Sequence, residues 1–450
     1  ILRVDDTDPE RSTEGNTQAI LQSLTWLGIG WDEGPEADGG YGPYFQTQRA
    51  AFYADALNRL KDANAVYPCF CSPDVLALKR ETAREAGGFS GYDRTCMRLD
   101  PAIVEARIAA GEPHAWRLRV PDGRGDIVFT DLVRGETTFG AHAMDDFVVA
   151  RSDGTPTYNF ATVVDDVEMA ITHVIRGDDH LSNTPRQILV FEALGAEVPA
   201  FAHLSMIWGP DGKRLSKRHG ATSVEAYREL GYLPEALVNY LALLGWSLDD
   251  KTTVIDRNTL VESFTLDRVS RNPAIFDSEK LEWLNGVYLR ELSADRFVER
   301  MAPWLVDAGL LGAEEVDERR QWLHELAPLV SERVRRLDEI PPIVAYLFAE
   351  SVTVEEGARA KVLGQEGAAL TLEAASEALA GLPEFSVAGV EEALRSVPER
   401  LGVKPKVVFQ VVRVAVSGST VSLPLFESLA LLGQERSLER IRAAQALLAE

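Results

Sequence analysis

The densest chemistry in this chain of 450 residues lies in Gly209-Pro210-Asp211-Gly212-Lys213-Arg214-Leu215-Ser216-Lys217-Arg218-His219-Gly220. Lysine is scarce here relative to arginine, yet Lys213 and Lys217 fall within five positions. Glycines flank them, so the segment reads as a loop between a strand and a helix. A lysine ammonium is a compact positive charge on a flexible stem. It suits a polyphosphate and can follow charge as it develops. The plain alternative is a solvated basic turn, the commoner case for an isolated match of this length. A second group is Cys69-Phe70-Cys71 with Cys96. Three cysteines in a chain this long make no disulfide framework, and the simplest setting for them is a reducing cytoplasm.

The elements that must position these groups follow from periodicity and capping. Val174-Ile175-Arg176 reads as a buried strand running into Gly177-Asp178-Asp179. Thr184-Pro185 opens a helix through Leu189, Phe191 and Leu194, and Gly195 ends it. Phe147 to Ala150 and Thr157 to Phe160 flank Ser152-Asp153-Gly154 and predict a hairpin. Near the start, Asp8 is the expected cap of a helix whose apolar face is Ile20, Leu24 and Leu27. A second helix carries Tyr53, Ala56, Leu57 and Leu60. Between Val66 and about Asp146, short strands alternate with charged helices, as in an inserted α+β segment. Strands followed by capped helices predict a parallel α/β sheet with ligands at the strands' carboxyl ends. Beyond Ser223 the pattern is helical, and beyond 294 it is helix after helix, the last with Ser437 as its expected cap. Val407 to Val416 alone would be strand on propensity.

Acidic residues number 70 against 46 basic ones, a formal charge of −24. That excludes a generally basic coat for nucleic acid but not an enzyme with a local positive face. No run approaches the length of a membrane span. The chain opens Ile1-Leu2-Arg3-Val4, which reads as a strand end whose beginning is missing.

Arg214-Leu215-Ser216-Lys217-Arg218 resembles the second signature loop of class I aminoacyl-tRNA synthetases. The surrounding text is similar to glutamyl-tRNA synthetases. The matches run in order: Leu2-Arg3-Val4-Asp5-Asp6-Thr7-Asp8 with Glu10-Arg11-Ser12, Thr155-Pro156-Thr157-Tyr158-Asn159-Phe160, Val163-Val164-Asp165-Asp166, Val174-Ile175-Arg176-Gly177, Leu233-Pro234-Glu235-Ala236-Leu237, Lys404-Pro405-Lys406 and Pro424-Leu425-Phe426. The resemblance covers essentially the whole chain.

It implies an α/β fold: a Rossmann-like class I catalytic core with an α+β insertion, followed by an all-α anticodon-binding region. The implied divisions are core at 1–65, an acceptor-binding insertion at 66–150, core again at 151–200, the signature loop and stem-contact helices at 201–293, and the anticodon region at 294–450. On that architecture Val407 to Val416 is expected to be helix, against its propensity. The implied reaction joins L-glutamate to tRNA-Glu through an adenylate made with ATP and Mg2+, with tRNA-Gln left open as a second acceptor. Lys217 would stabilise phosphate charge, within the signature formed with Arg214, Leu215, Ser216 and Arg218. Asp179 and the backbone of Ile207 would help hold ATP. Arg176 would pair with the substrate's side-chain carboxylate, for which a guanidinium fork is suited. Tyr158 would line the amino-acid pocket, and Asp5 would meet the amino group. A monomeric cytoplasmic protein without membrane association is implied.

Each residue has a plain alternative. Arg176 could pair with Asp178 or Asp179, Tyr158 could be hairpin packing, and Asp5 could be a turn residue. Trp208 and His219 could be packing beside the loop. Three departures stand out. No histidine is followed by another three positions later, so the other class I signature, His-x-Gly-His, is absent. In the family it lies upstream of the position of Ile1, so the resemblance implies truncation, with catalysis impaired in the chain as given. Asp5 stands for a glutamate and Arg214 for a lysine, each keeping charge. The cysteines resemble a zinc knuckle that some members close with a histidine two positions after the third cysteine. Arg98 occupies that position, the fourth ligand is absent, and three reduced thiols of a degenerate site are expected in preference to zinc. Arg333, Arg335 and Arg336, and Lys404, Lys406 and Arg413, are candidate phosphate contacts, with solvated helix faces as the alternative. The alternatives for the whole chain are glutaminyl-tRNA synthetase, whose C-terminal half is β-barrel rather than helical, and a non-catalytic tRNA-binding paralogue. The short tRNA-modifying relatives lack the anticodon region, so length disfavours them.

Overall fold

Strands occupy the first part of the chain: β1 (Val66–Cys69), β2 (Ala115–Leu118), β3 (Ile127–Asp131), β4 (Gly135–Phe139), β5 (Val148–Ala150), β6 (His173–Gly177), β7 (Ala200–Leu204), β8 (Ile207–Trp208) and β9 (Ala274–Ile275). The computed structural model describes residues 1–7, 13–37, 39–85, 91–141, 144–216, 218, 220 and 222–449. It divides into two compact units, Ile1–Gly220 with Leu241–Phe276, and Ala221–Tyr240 with Asp277–Glu450.

In the first unit the main sheet has the order β4-β3-β7-β6, and β1-β2-β5 form a second, smaller sheet. β6 and β7 are parallel, with Arg176 opposite His203. β3 joins β7 in parallel at Asp131 and Phe201, and β4 folds back on β3 antiparallel. A parallel pair needs a crossover. It is supplied here by the helix Thr184–Leu194, closed by Gly195 in the left-handed region that suits glycine. Numbered along the chain, the α-helices up to Leu194 are α1 (Glu14–Trp26), α2 (Ala50–Asp62), α3 (Pro73–Glu85), α4 (Pro101–Ala109), α5 (Tyr158–Glu168) and α6 (Thr184–Leu194). Leu60, Ile127, Phe160, Val163, Val190 and Phe201 belong to one buried cluster.

Several local expectations need correction. Thr157 to Phe160 are not the second arm of a hairpin. Pro156 makes a single bridge to Ala150, the Thr157 hydroxyl donates to the Val148 carbonyl at 2.9 Å, and α5 begins at Tyr158. Phe160, Val163 and Val164 then point into the core at helical spacing. α1 starts at Glu14, where Thr13 accepts from the Asn16 amide; Asp8 to Ser12 lie outside the described residues. β3, inside the expected insertion, pairs on one side with β4 and on the other with β7, which lies beyond residue 150.

The second unit is helical. Phe297, Leu326, Leu372, Leu394, Val412 and Ile441 belong to one core. Val407 to Val416 lie in a helix, Pro405–Ser417, with Val408, Val411 and Val412 buried. Pro405 sits at its start and Gly418 takes a positive φ just past its end. A valine-rich helix gives up a few tenths of a kcal/mol per residue in propensity. Burying one apolar stripe returns on the order of 1.5 kcal/mol or more per side chain. The final helix begins at Gln434, so Ser437 is not its cap but a buried residue within it. Arg413 is no phosphate contact. It turns inward to the carbonyls of Ser422 and Leu423. Arg336 is engaged by Asp338, Glu282 and Glu339, whereas Arg333, Arg335, Lys404 and Lys406 are exposed. Among the described residues no helix is long and apolar enough to cross a membrane.

Candidate active site

A cleft of about 990 Å³ opens in the first unit, lined in part by Asp5, Thr7, Gln46, Tyr158, His180 and Asn183. Beneath its lining residues Gln46 and Tyr53 lies a set of buried charges. Asp165, on α5, is fully buried and receives Arg49 Nε at 2.6 Å, Gln46 Nε2 at 2.8 Å and the Tyr53 hydroxyl at 3.1 Å. Arg3 bridges Asp5 at 2.8 Å and Asp166 at 2.7 Å. Burial pushes the Asp166 carboxyl up to about 6 against the pull of Arg3. Asp5 itself stays exposed at the cleft edge. A short acidic side chain held by a guanidinium at its root can present an oxygen to an ammonium group.

Tyr158 stands at the first turn of α5, 38% exposed, with its hydroxyl 3.2 Å from His180 Nδ1. Behind it the Arg176 guanidinium is half-buried. Arg176 makes no ion pair with Asp178 or Asp179, which pair instead with Arg134 and Arg214. Its partners are neutral: His203 Nε2 at 3.1 Å from Nε, then Thr184 Oγ1 and Gln187 Oε1, both 2.8 Å from Nη2. Tyr158 interacts with the same guanidinium, and burial draws the Arg176 pKa below its ordinary value. An arginine whose direct partners are all neutral keeps its capacity to pair with a carboxylate.

The basic segment forms a tight hairpin off β8. Trp208 bridges Arg214, Gly209 N–H donates to the Lys213 carbonyl, and Gly212 takes a positive φ at the turn. Leu215 N–H donates to the Ile207 carbonyl at 3.0 Å. Arg214 reaches Asp179 at 3.4 Å and Arg218 reaches Asp211 at 2.9 Å, both exposed pairs. Ser216 has an interaction partner of its own. Lys217 and His219 lie outside the described residues. The hairpin thus brings Arg214, Asp179 and Ile207 together.

Away from the cleft, the Sγ atoms of Cys69, Cys71 and Cys96 lie within 4.8 Å of one another. Cys71 and Cys96 are 3.6 Å apart. Two thiolates on one tetrahedral zinc would stand about 3.8 Å apart, given zinc–sulfur bonds of about 2.3 Å. Arg98 turns away to the Asp93 carbonyl. The Tyr92 hydroxyl comes in instead, 3.4 Å from Cys69 Sγ and 3.8 Å from Cys71 Sγ, and accepts the Cys96 amide at 3.0 Å. Burial pushes the Cys71 thiol up to about 11. Burial acts the same way on Cys69, but hydrogen bonds with Tyr92 and Arg117 outweigh it and lower that thiol.

Sequence reasoning missed Tyr92, Arg49, Asp131 and His203. A histidine inside the apolar strand Phe201-Ala202-His203-Leu204 was the visible signal for the last.

Residues 1–283 match the family described as tRNA synthetases class I (E and Q), catalytic domain, and residues 296–445 match an anticodon binding domain. The chain is 46% identical to a protein named glutamate–tRNA ligase from Moorella thermoacetica, over 99% of this chain and 91% of that one. It is 43% identical to one of the same name from Carboxydothermus hydrogenoformans, over 98% and 92%. A crystal structure of a glutamate tRNA ligase from Elizabethkingia meningosepticum, in complex with its amino acid, superposes with a TM-score of 0.89 at 29% identity, covering 99% of this chain and 92% of that one.

Proposed function

The chain belongs to the class I tRNA synthetase family of the E and Q type, and from that premise we propose that it ligates L-glutamate to tRNA-Glu, using ATP with Mg2+, through a glutamyl-adenylate. Arg176 carries this reading, as a half-buried cation that meets only neutral groups beside a cleft edged by Asp5. A γ-carboxylate would complete Arg176, and the α-ammonium would meet Asp5 while Tyr158 closes the wall. The α-carboxylate is then free to attack the α-phosphorus of ATP, a step governed by placement and charge stabilisation. Asp179 and the Ile207 backbone would hold the nucleotide. Lys217, with Arg214, Leu215, Ser216 and Arg218 around it, would follow the phosphate charge as pyrophosphate leaves. The helical region 294–450 would read the anticodon arm, the segment 66–150 the acceptor end, and 201–293 the stem between them. The protein would act as a cytoplasmic monomer.

Exchange of ATP with pyrophosphate should require both glutamate and tRNA. Lys217→Ala should lower turnover by on the order of a hundredfold or more while tRNA binding holds. Arg176→Ala should weaken glutamate use most, and a larger loss with glutamine would contradict the assignment. Charging assays with purified tRNA-Glu and tRNA-Gln decide whether both are acceptors.

Against the expectation of three thiols without metal, the spacing of Cys69, Cys71 and Cys96 favours a structural zinc, with the Tyr92 oxygen standing nearest the fourth position. Metal analysis of purified protein should find about one zinc per chain. Cys96→Ser should lose it, and metal-free protein with unaltered stability after chelation would reject the site.

A further inference from the structure

Arg176 is held from behind by a chain of buried groups that the proposed reaction does not yet use. Asp131, at the end of β3, accepts the amides of Val133, Arg134 and His203 at 3.0, 2.9 and 3.2 Å, and faces His203 Nδ1 at 2.6 Å. His203 and Thr184 are fully buried, and Asp131 nearly so. On its other side His203 Nε2 lies 3.1 Å from Arg176 Nε and 3.1 Å from Thr184 Oγ1. A guanidinium can only donate. Because Arg176 Nε donates to Nε2, that nitrogen carries no hydrogen, and the Thr184 hydroxyl, which accepts from Arg176 Nη2, must be the donor in its own contact with Nε2. Two donors therefore converge on Nε2, and the imidazole proton must sit on Nδ1, facing the carboxylate. The strand register makes this arrangement, with Arg176 opposite His203 and Asp131 opposite Phe201.

We propose that Asp131 and His203 are positioning residues that aim Arg176 at the substrate while leaving its charge uncompensated, and so set the preference for a carboxylate over a carboxamide side chain. The inference rests on the reading of Arg176 as the carboxylate receptor. A carboxylate bonded directly to Arg176 would orient it equally well, but it would neutralise it. Glutamate would then gain little over glutamine. A neutral imidazole in between keeps the geometry and moves the negative charge one ring away. Burial lowers the His203 pKa, and the charges of Arg176 and Arg134 act the same way, against the upward pull of Asp131. The charged groups facing it are Asp131, Arg176 and Arg134.

The test is steady-state kinetics on the full-length protein with glutamate, glutamine, ATP and tRNA. His203→Ala should raise KM for glutamate by on the order of tenfold and lower the glutamate-to-glutamine ratio, while KM for ATP and for tRNA stays within about twofold. His203→Gln offers a carbonyl oxygen to Arg176 and should recover most of that loss. Asp131→Asn keeps the shape but can donate to Nδ1, driving the proton onto Nε2 against Arg176. It should raise KM for glutamate in the same way, and it serves if His203→Ala does not fold. An unchanged glutamate KM in His203→Ala or Asp131→Asn overturns the proposal. So does an equal loss across all substrates in His203→Gln. Arg176→Ala, run alongside, separates the two layers. If it raises KM for glutamate and the other variants do not, only the positioning role falls. If it does not, both fall.

Discussion

Buried arginines occur in both units and are answered differently. In the α/β unit, Arg49 is fully buried and meets the carboxylate of Asp165, itself fully buried, at 2.6 Å. In the helical unit, Arg440 is buried among backbone carbonyls, Val416 at 2.6 Å and Tyr346 and Ala349 at 2.7 and 2.6 Å. Those oxygens come from the carboxyl ends of two helices, Pro405–Ser417 and Ile340–Phe348, or just beyond them. Helix ends leave such carbonyls without partners and carry partial negative charge. So at Arg49 the first unit buries charge as a pair beneath the cleft, in contrast to Arg176, which is left with neutral partners. The second uses a guanidinium as a many-armed donor that fastens helices, its charge answered by partial charges alone. Burial lowers the Arg440 pKa to about 10 as a result.

The contrast is tested most severely at Asp165. Asp165→Ala should cost on the order of 3–5 kcal/mol, because Arg49 would be left as an unpaired buried cation with Nη2 already lacking a partner. Hydrogen exchange followed peptide by peptide should show lost protection in α2 and α5, while helices of 294–450 keep theirs. A loss shared equally by both regions would erase the distinction.

How much of this was legible before folding varies by residue. α6 could be read because the Thr184-Pro185 to Gly195 span carries its own start and stop signals, and β6 is a strand as expected but not a buried one, being the sheet's edge with Ile175 exposed. The valine helix was readable only against its propensity, since what decides it is burial in a core assembled from distant helices. The start of α5 is hidden in the sequence because Thr157-Tyr158-Asn159-Phe160 has strand-like composition. The turn ends the strand there by bonding Thr157 back to Val148. At the site, Arg176 and Asp5 stood out by resemblance. Asp131 and His203, 72 positions apart, meet only through parallel register, which no local pattern encodes.

Arg440→Met should do less harm than Asp165→Ala. It removes a costly buried charge, which favours the variant, but takes a donor from three carbonyls, of which that of Ala349 keeps another, from Arg436. A net loss of about 1–3 kcal/mol is expected. Exchange should quicken at the ends of Ile340–Phe348 and Pro405–Ser417 first. A loss as large as that of Asp165→Ala would mean the charge itself matters in the helical unit.

The smallest effect tests the exposed limit of the same comparison. Lys79 and Asp93 pair at 2.7 Å, tying α3 to the turn that carries Tyr92, but their side chains are 33% and 46% exposed. Burial alone would raise the Asp93 carboxyl, yet hydrogen bonds from Lys79 and Thr95 outweigh it and hold it at about 2. A depressed carboxyl contributes stability above its unfolded value of 3.8, and that contribution is lost as pH falls through about 2. Solvent screens a pair this exposed, so Lys79→Met should cost less than about 1 kcal/mol at neutral pH. It should also flatten the acid side of the stability profile between those two values. Strong salt should shrink the difference further, since the Debye length falls to about 3 Å at 1 M. If Lys79→Met instead matched Asp165→Ala in cost, or kept its cost in salt, then burial would not be what separates the structural charges beneath the cleft from those on the surface.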